Sequence, residues 1–488
     1  MRADYLTELA MLYQSIGDYK SAVPPLREAL DIKRQLLGVQ HPKYAESLTN
    51  LAIVYYYLGD YQSAEPLFKE SREIIRQVFG EQHPNYATSL NNLANLDQDM
   101  ADYKSAEPLY KECLEIIRKV YGKQQPDYMI NLLDKLANLY QEMGDYSSAE
   151  PLLKESLLIR QQVLGNQHPD YEISVSNLAN LYYRMGDYKS AEPLYKESME
   201  IRRQVLGEQH PDYAISVSNL ATLYNNMGDY KSAELLFKES CEIIRQVFGM
   251  QHPDYAIILN NLANLYYDMG DYKSAEPLYK ESMEIRRQVL GEQHPDYAIC
   301  MNNLARLYND MGDYKSAEPL FIESCEIVCQ LFGKQHPNYA TSLSNLASLY
   351  YSMGDYTSAE PLFKEALEIR RQVLGEQHAD YAFSLNNLAN LYADMGDYKS
   401  AEPLDKECLE IRRQVLGDKH PYYTSSLSNL ASLYQDMCDY KSAELLYKES
   451  LELCRQVLGE HHPNYASILN NLASLYKAMG DYKSAESL

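Results

Sequence analysis

The sequence predicts an all-α fold, a solenoid in which helical hairpins stack one on the next, and three observations predict it. Gly-Asp-Tyr or a near copy starts at Gly17, Gly59, Ala101, Gly144, Gly186, Gly228, Gly270, Gly312, Gly354, Gly396, Cys438 and Gly480, at intervals of 42 residues with one of 43. Each period holds two segments whose apolar residues recur at helical spacing. The stretch between periods is only a few residues long, so each hairpin must bury its apolar stripe on its neighbour. The prediction is one continuous array over residues 1–488 of about twelve units, the last incomplete, with no Pro/Ser-rich linker to mark a boundary.

The unit around Asp254 shows how the hairpin forms. In DYAIILNNLANLYYDMG, Leu259, Leu262, Leu265, Tyr266 and Met269 share one face. Pro253 suits the first helical position, and Asp254 puts negative charge at the positive end of the helix dipole. Gly270 follows the last apolar residue as a left-handed C-cap, and Asp271 opens the next helix. That second helix carries Tyr272, Ala275, Leu278, Tyr279, Ser282, Ile285 and Val289 on one stripe. Pro277 costs a helical hydrogen bond unless it lies near the first turn, which predicts a start near Lys273. The tyrosine columns read as amphipathic core packing.

The charge is built into the repeat. Asp271 to Gly312 holds five basic and seven acidic residues, and twelve such units reproduce the net −24 of the chain. Evenly spread acidity predicts a solubilised surface, disfavours nucleic acid and anionic membrane, and favours basic partners. An RNA-binding repeat would need a basic stripe that the chain lacks. No apolar run approaches a membrane span and MRADYLTELA is no signal peptide, so the expected location is cytoplasmic. The eight cysteines show no CxxC and read as reduced, incidental thiols.

Leu259, Leu262, Ala263, Tyr266, Gly270, Tyr272, Ala275 and Tyr279 resemble the signature of the tetratricopeptide repeat. The 42-residue length and the strings LNNLANLY, GDYKSAEPLYKES and GEQHPDYA resemble its kinesin-light-chain-like type, along essentially the whole chain. The resemblance implies a right-handed superhelix whose first helices line a concave groove for peptide or protein partners. Departures are Ala101 and Cys438 at the hairpin glycine, Asp97 at a tyrosine column, Gln125 at the loop histidine and Ala379 at the loop proline. They predict locally looser repeats.

Two columns are the candidate peptide-binding residues. Asparagine fills one at Asn50, Asn92, Asn177, Asn219, Asn261, Asn303, Asn345, Asn387, Asn429 and Asn471, interrupted by Glu8 and Lys135. An amide offers donors and an acceptor, so a ladder of them can hold an extended peptide backbone; in the resembling family such asparagines contact bound peptides. The alternative is that each amide bonds the neighbouring hairpin, and both readings stand. Specificity is expected at a second column that includes Asn95, Asn138, Asn180, Asn264, Arg306 and Asn390. A third column, with Asp99, Glu142, Asp268, Asp310, Asp394 and Asp436, adds acidity and favours a basic segment.

No catalytic, cofactor or metal site is expected: GxxxxGK[ST], GxSxG, HExxH and EF-hand patterns do not occur. Histidine recurs at His41, His83, His168, His210, His252, His294, His336, His378, His420 and His462. Metal ligands converge at about 2 Å, whereas stacked hairpins stand about 8–10 Å apart, so these residues should cap or brace the loop. His461 with His462 and Cys325 with Cys329 are weak pairs.

Three irregularities remain. Met185–Ile215 is identical to Met269–Ile299, which predicts a repetitive surface for extended or multivalent ligands more than a unique pocket. The 43-residue interval places one extra residue between Pro126 and Tyr140, as a tolerated insertion or a functional helical bulge. Leu488 falls a few residues into the twelfth second helix, which predicts a longer parent; the structural alternative to peptide binding is a spacer that associates end to end.

Overall fold

The computed structural model describes residues 2–15, 18–122 and 125–488. Gly17, the first turn glycine of the series, lies outside the described residues. The described residues form 24 helices and no strand, paired as an A helix and a B helix in each of twelve repeats. The protein is thus an all-α solenoid. It divides into two compact units, Met1–Met143 with Pro151–Val163, and Gly144–Glu150 with Leu164–Leu488. Among the described residues, no helix is long and apolar enough to cross a membrane.

Local chemistry fixes each hairpin. In repeat 7 the A helix is Pro253–Asp268 and the B helix Tyr272–Leu290. His252 is the N-cap of the A helix, its Nδ1 accepting the Asp254 N–H at 3.2 Å. The other nine loop histidines accept in the same way, whereas Gln125 makes no side-chain cap. At the turn, Gly270 has φ +75°, and the Asp271 N–H closes on the Tyr266 carbonyl at 2.8 Å. Asp271 then caps the B helix by accepting from the Ser274 N–H. That helix begins at Tyr272, one residue before the expected start, and runs on through Pro277, which forfeits a single bond to the first turn. Ala101 and Cys438 take the same left-handed conformation at φ 59° and 63°. The extra residue of repeat 4 lengthens its A helix, Pro126–Glu142, to 17 residues against the usual 16 and makes no bulge.

Packing follows the columns. Ala263 and Ala275 are fully buried and let the paired helices approach closely. Ser282 Oγ donates to the Ala256 carbonyl at 2.7 Å, and Ser71, Ser240, Ser324 and Ser450 bridge the A and B helices of their own repeats likewise. Tyr266 reaches back to Glu234 of the preceding repeat at 2.8 Å, and Tyr308 to Glu276 at 3.1 Å. These tyrosines pack at the interfaces while their hydroxyls reach a carboxylate of the preceding repeat.

Two buried carboxylates break these columns. Asp97 takes the place of a tyrosine and Asp405 that of Phe363 or Tyr447. Burial pushes Asp405 up to about 7 and Asp97 up to about 6.

Within the second unit the chain meets itself 236 residues along. His420 Nε2 lies 3.1 Å from the Arg184 carbonyl and His462 Nε2 3.3 Å from that of Asn226, while Lys189 Nζ donates to the Gln456 carbonyl at 3.0 Å. Because Nδ1 of each ring accepts a backbone N–H, Nε2 must carry the proton and donate. One histidine therefore caps the start of its own helix and the end of a distant one. Burial holds the His420 imidazole down at about 4, in its neutral form. Gly186 makes the approach possible: a Cβ there would stand 2.5 Å from Pro421 Cδ, whereas one on Gly270 would meet nothing within 4 Å.

Two outcomes follow. Gly186→Ala and Gly270→Ala carry the same left-handed strain of about 1–2 kcal/mol, but only Gly186→Ala must displace Pro421, at an added cost of about 1–3 kcal/mol. Hydrogen exchange at residues 418–424 should rise in Gly186→Ala alone; equal exchange in both variants refutes the contact. Asp405→Phe should stabilise the protein by about 2 kcal/mol at pH 8. The wild-type carboxyl, raised in the folded state, contributes stability when protonated and loses it as pH rises through about 7. The gain from phenylalanine should therefore shrink toward pH 5 in denaturant titrations.

Candidate partner-binding face

The exposed side of the A helices carries polar columns, and their hydrogen bonds share one register. A residue bonds to the residue 43 positions on, which is one repeat plus one. Asn303 donates to Asn260 at 3.0 Å, Asn429 to Asn386 at 2.8 Å and Asn261 to Ser218 at 3.5 Å. The acidic column is tied in the same way: Asn225 donates to Asp268 at 2.6 Å, and Gln98 to Glu142, 44 positions on across the one 43-residue interval, at 2.9 Å. Tyr56, Tyr267 and Tyr351 donate to Asp99, Asp310 and Asp394. These carboxylates stitch repeat to repeat.

The expected specificity column also has internal duties. The hydroxyls of Tyr110, Tyr195 and Tyr279 donate to Asn95, Asn180 and Asn264, each at 2.6 Å. Where the B helix instead offers Phe237, Phe321 or Phe363, the A-helix position is Thr222, Arg306 or Ser348, while Tyr447 meets Ser432, and Asn138 and Asn390 stand opposite Leu153 and Asp405. Asn138 donates to Glu142 at 3.0 Å, and Arg306 lies over the Tyr267 ring at 4.5 Å. Asn177, Asn219, Asn345, Asn387 and Asn390 are half-buried on this face, and Asn471 is exposed.

Asn50 and Asn92 stand apart, because they line a cavity of about 310 Å³ in the first unit. Thr49, Thr88 and Ser89 add hydroxyls, Ile75 and Phe79 an apolar floor, and Lys43 and Glu46 opposite charges. The space has a physical origin. At the position of Ile75, which Ile117, Ile244, Val328 and Cys454 also leave uncharged, some later repeats carry arginines whose guanidinium crosses to the carbonyl ten residues on: Arg202 to Asp212 at 2.8 Å, Arg286 to Asp296 at 3.0 Å and Arg412 to Tyr422 at 3.2 Å. Isoleucine cannot reach so far, and Asn85, ten residues after Ile75, is left lining the cavity. Thr49, Thr88, Ser89 and Ile75 were not singled out from the sequence, where Ile75 shares its column with Ile117 and Ile244.

A family model described as tetratricopeptide repeat matches the chain at residues 2–77, 54–119, 128–203, 171–246, 254–330, 326–372, 338–414, 380–456 and 423–488. The protein belongs to the tetratricopeptide repeat family. Among solved structures it is similar to a putative kinesin light chain with nearly identical TPR-like repeats from Podosopora anserina, at 26% identity, covering 42% of this chain and 97% of that one, with a TM-score of 0.40. It is also similar to BtubC (BKLC) of P. vanneervenii, at 26% identity, covering 48% and 92%, with a TM-score of 0.38. No curated protein matches the chain.

The two kinds of asparagine should separate on mutation. Asn303→Ala with Asn429→Ala should lower stability by about 1 kcal/mol for each lost inter-repeat bond. Asn50→Ala with Asn92→Ala should stay within about 0.5 kcal/mol of wild type. Denaturant midpoints check both.

Proposed function

We propose that this protein is a non-catalytic scaffold that binds an extended peptide segment along its A-helix face, with Asn50 and Asn92 holding ligand backbone. Tetratricopeptide repeats are general protein-interaction scaffolds. The observation that carries the finer reading is the 310 Å³ cavity that both asparagines line, with hydroxyls beside them and an apolar floor beneath. Free carboxamides at the rim suit backbone N–H and C=O groups, and the floor suits one apolar side chain. The net charge of −24 draws a basic segment to this face and repels nucleic acid.

A peptide array graded from acidic to basic tests the reading. Basic peptides should be retained, and Asn50→Ala with Asn92→Ala should weaken the best of them about tenfold, the factor for roughly 1.4 kcal/mol of lost hydrogen bonding. Ile75→Arg, which restores the crossing side chain, should fill the cavity and block binding. Unchanged affinity in both folded variants overturns the role. Failure to retain any peptide, with light scattering that rises with concentration, would favour the self-associating spacer.

A further inference from the structure

The second unit holds a larger cavity, of about 610 Å³, at the place where the chain meets itself. One wall is the A-helix ends of repeats 5 to 7, with Tyr183, Asn225 and Asp268, and the B-helix starts Tyr188 and Tyr230. The other wall is the loop and helix start of repeat 11, with His420 and Tyr422. The histidine bonds to the Arg184 and Asn226 carbonyls hold these walls together.

At the Asp268 end the wall presents acceptors. Asp268 takes one hydrogen bond, from Asn225 Nδ2 to its Oδ2 at 2.6 Å. Asn225 Oδ1 is buried and accepts none, an arrangement that costs free energy until a donor arrives. Tyr183 lends its hydroxyl to Asn226 as acceptor at 2.9 Å and packs its ring 5.9 Å from that of Tyr188. Tyrosine faces beside a carboxylate and an orphan carbonyl suit a cation that carries several N–H groups. Arg184 also lines the cavity, one repeat before Asn226 as Asp268 is one repeat after it, so the site has a basic end and an acidic end. Asp268 is exposed at the cavity edge, and partial desolvation raises its carboxyl from the ordinary value against the hydrogen bond from Asn225 and the charge of Arg306.

We propose that this cavity is a subsite for a basic side chain, arginine or lysine, of an extended partner segment, with the cation against the tyrosine rings and its N–H groups on Asp268 and Asn225 Oδ1. The inference rests on the peptide-scaffold reading but uses residues in the other unit. It also makes closure between repeats 5–6 and 11–12 a requirement for this binding, since Tyr422 and His420 belong to the far wall.

The test titrates the full chain with N-acetyl-arginine amide and, as comparison, N-acetyl-glutamate amide, followed by saturation-transfer NMR. The arginine probe should bind saturably and the glutamate probe should not. Asp268→Asn should weaken the arginine probe on the order of tenfold, the loss expected for one charge-assisted hydrogen bond, and Asp310→Asn, outside the cavity, should not. Ser425→Arg, which projects a side chain from the far wall and leaves Asp268 in place, should block the probe and serves if Asp268→Asn fails to fold. Absence of saturable arginine binding, or full affinity in a folded Asp268→Asn or Ser425→Arg protein, overturns the proposal. The variants Asn50→Ala with Asn92→Ala and Ile75→Arg should bind the probe as wild type does. Loss of array peptides in them with the probe unaffected separates the two sites, and failure of the array experiment alone leaves this one standing.

Discussion

The molecule depends on the stacking of each hairpin on the next, B helix against the following A helix, with adjacent A helices held at an offset of one repeat plus one residue. A hairpin of this kind cannot bury its apolar stripe by itself, so most of its stability comes from the neighbouring interface. The hydrogen bonds from residue n to n+43 record that register in side-chain terms, as in Asn303 to Asn260 and Tyr267 to Asp310. They also limit function. An amide or carboxylate used for stacking has fewer atoms left for a ligand.

The hairpin itself was legible. Proline, glycine and aspartate at fixed offsets set helix starts and turns through backbone conformation and dipole, effects that act within a few residues and so leave a local trace. The histidines were legible as loop braces, and the structure sharpens them to N-caps. The cavities were not. The one beside Asn50 is lined by Ile75, where Arg202, Arg286 and Arg412 of other repeats reach across to a loop carbonyl, and an isoleucine at that place looks ordinary inside an amphipathic helix. Identical sequence also conceals different contacts: Arg202 and Arg286 lie in the same 31-residue string, yet Arg202 pairs with Glu172 at 2.7 Å where repeat 7 has only Ala256. The partner sits outside the repeated string, so no reading of that string could supply it.

Buried polar exceptions show how much the stack tolerates. Arg370 is almost fully buried and has no carboxylate within ion-pair reach; it donates to Ser384 at 2.6 Å and Thr341 at 2.9 Å, and its Nε has no partner. Burial lowers its pKa. Ile75, Ile117 and Ile244 occupy the same column without charge, so the fold does not need a guanidinium there. In an array, such a defect weakens one interface while its neighbours hold the helices in place.

Near-identical units share most of their surface but not every contact. Each turn and each His-Pro loop is common to most repeats, but only where the chain curls back does a turn such as Gly186 meet a loop such as His420, and that meeting encloses a cavity no single repeat encodes. The distance along the chain is set by the accumulated small rotation of many stacked hairpins, not by any residue. A repetitive sequence can therefore build a singular site, because curvature supplies the second wall and a few departures from the columns supply its chemistry.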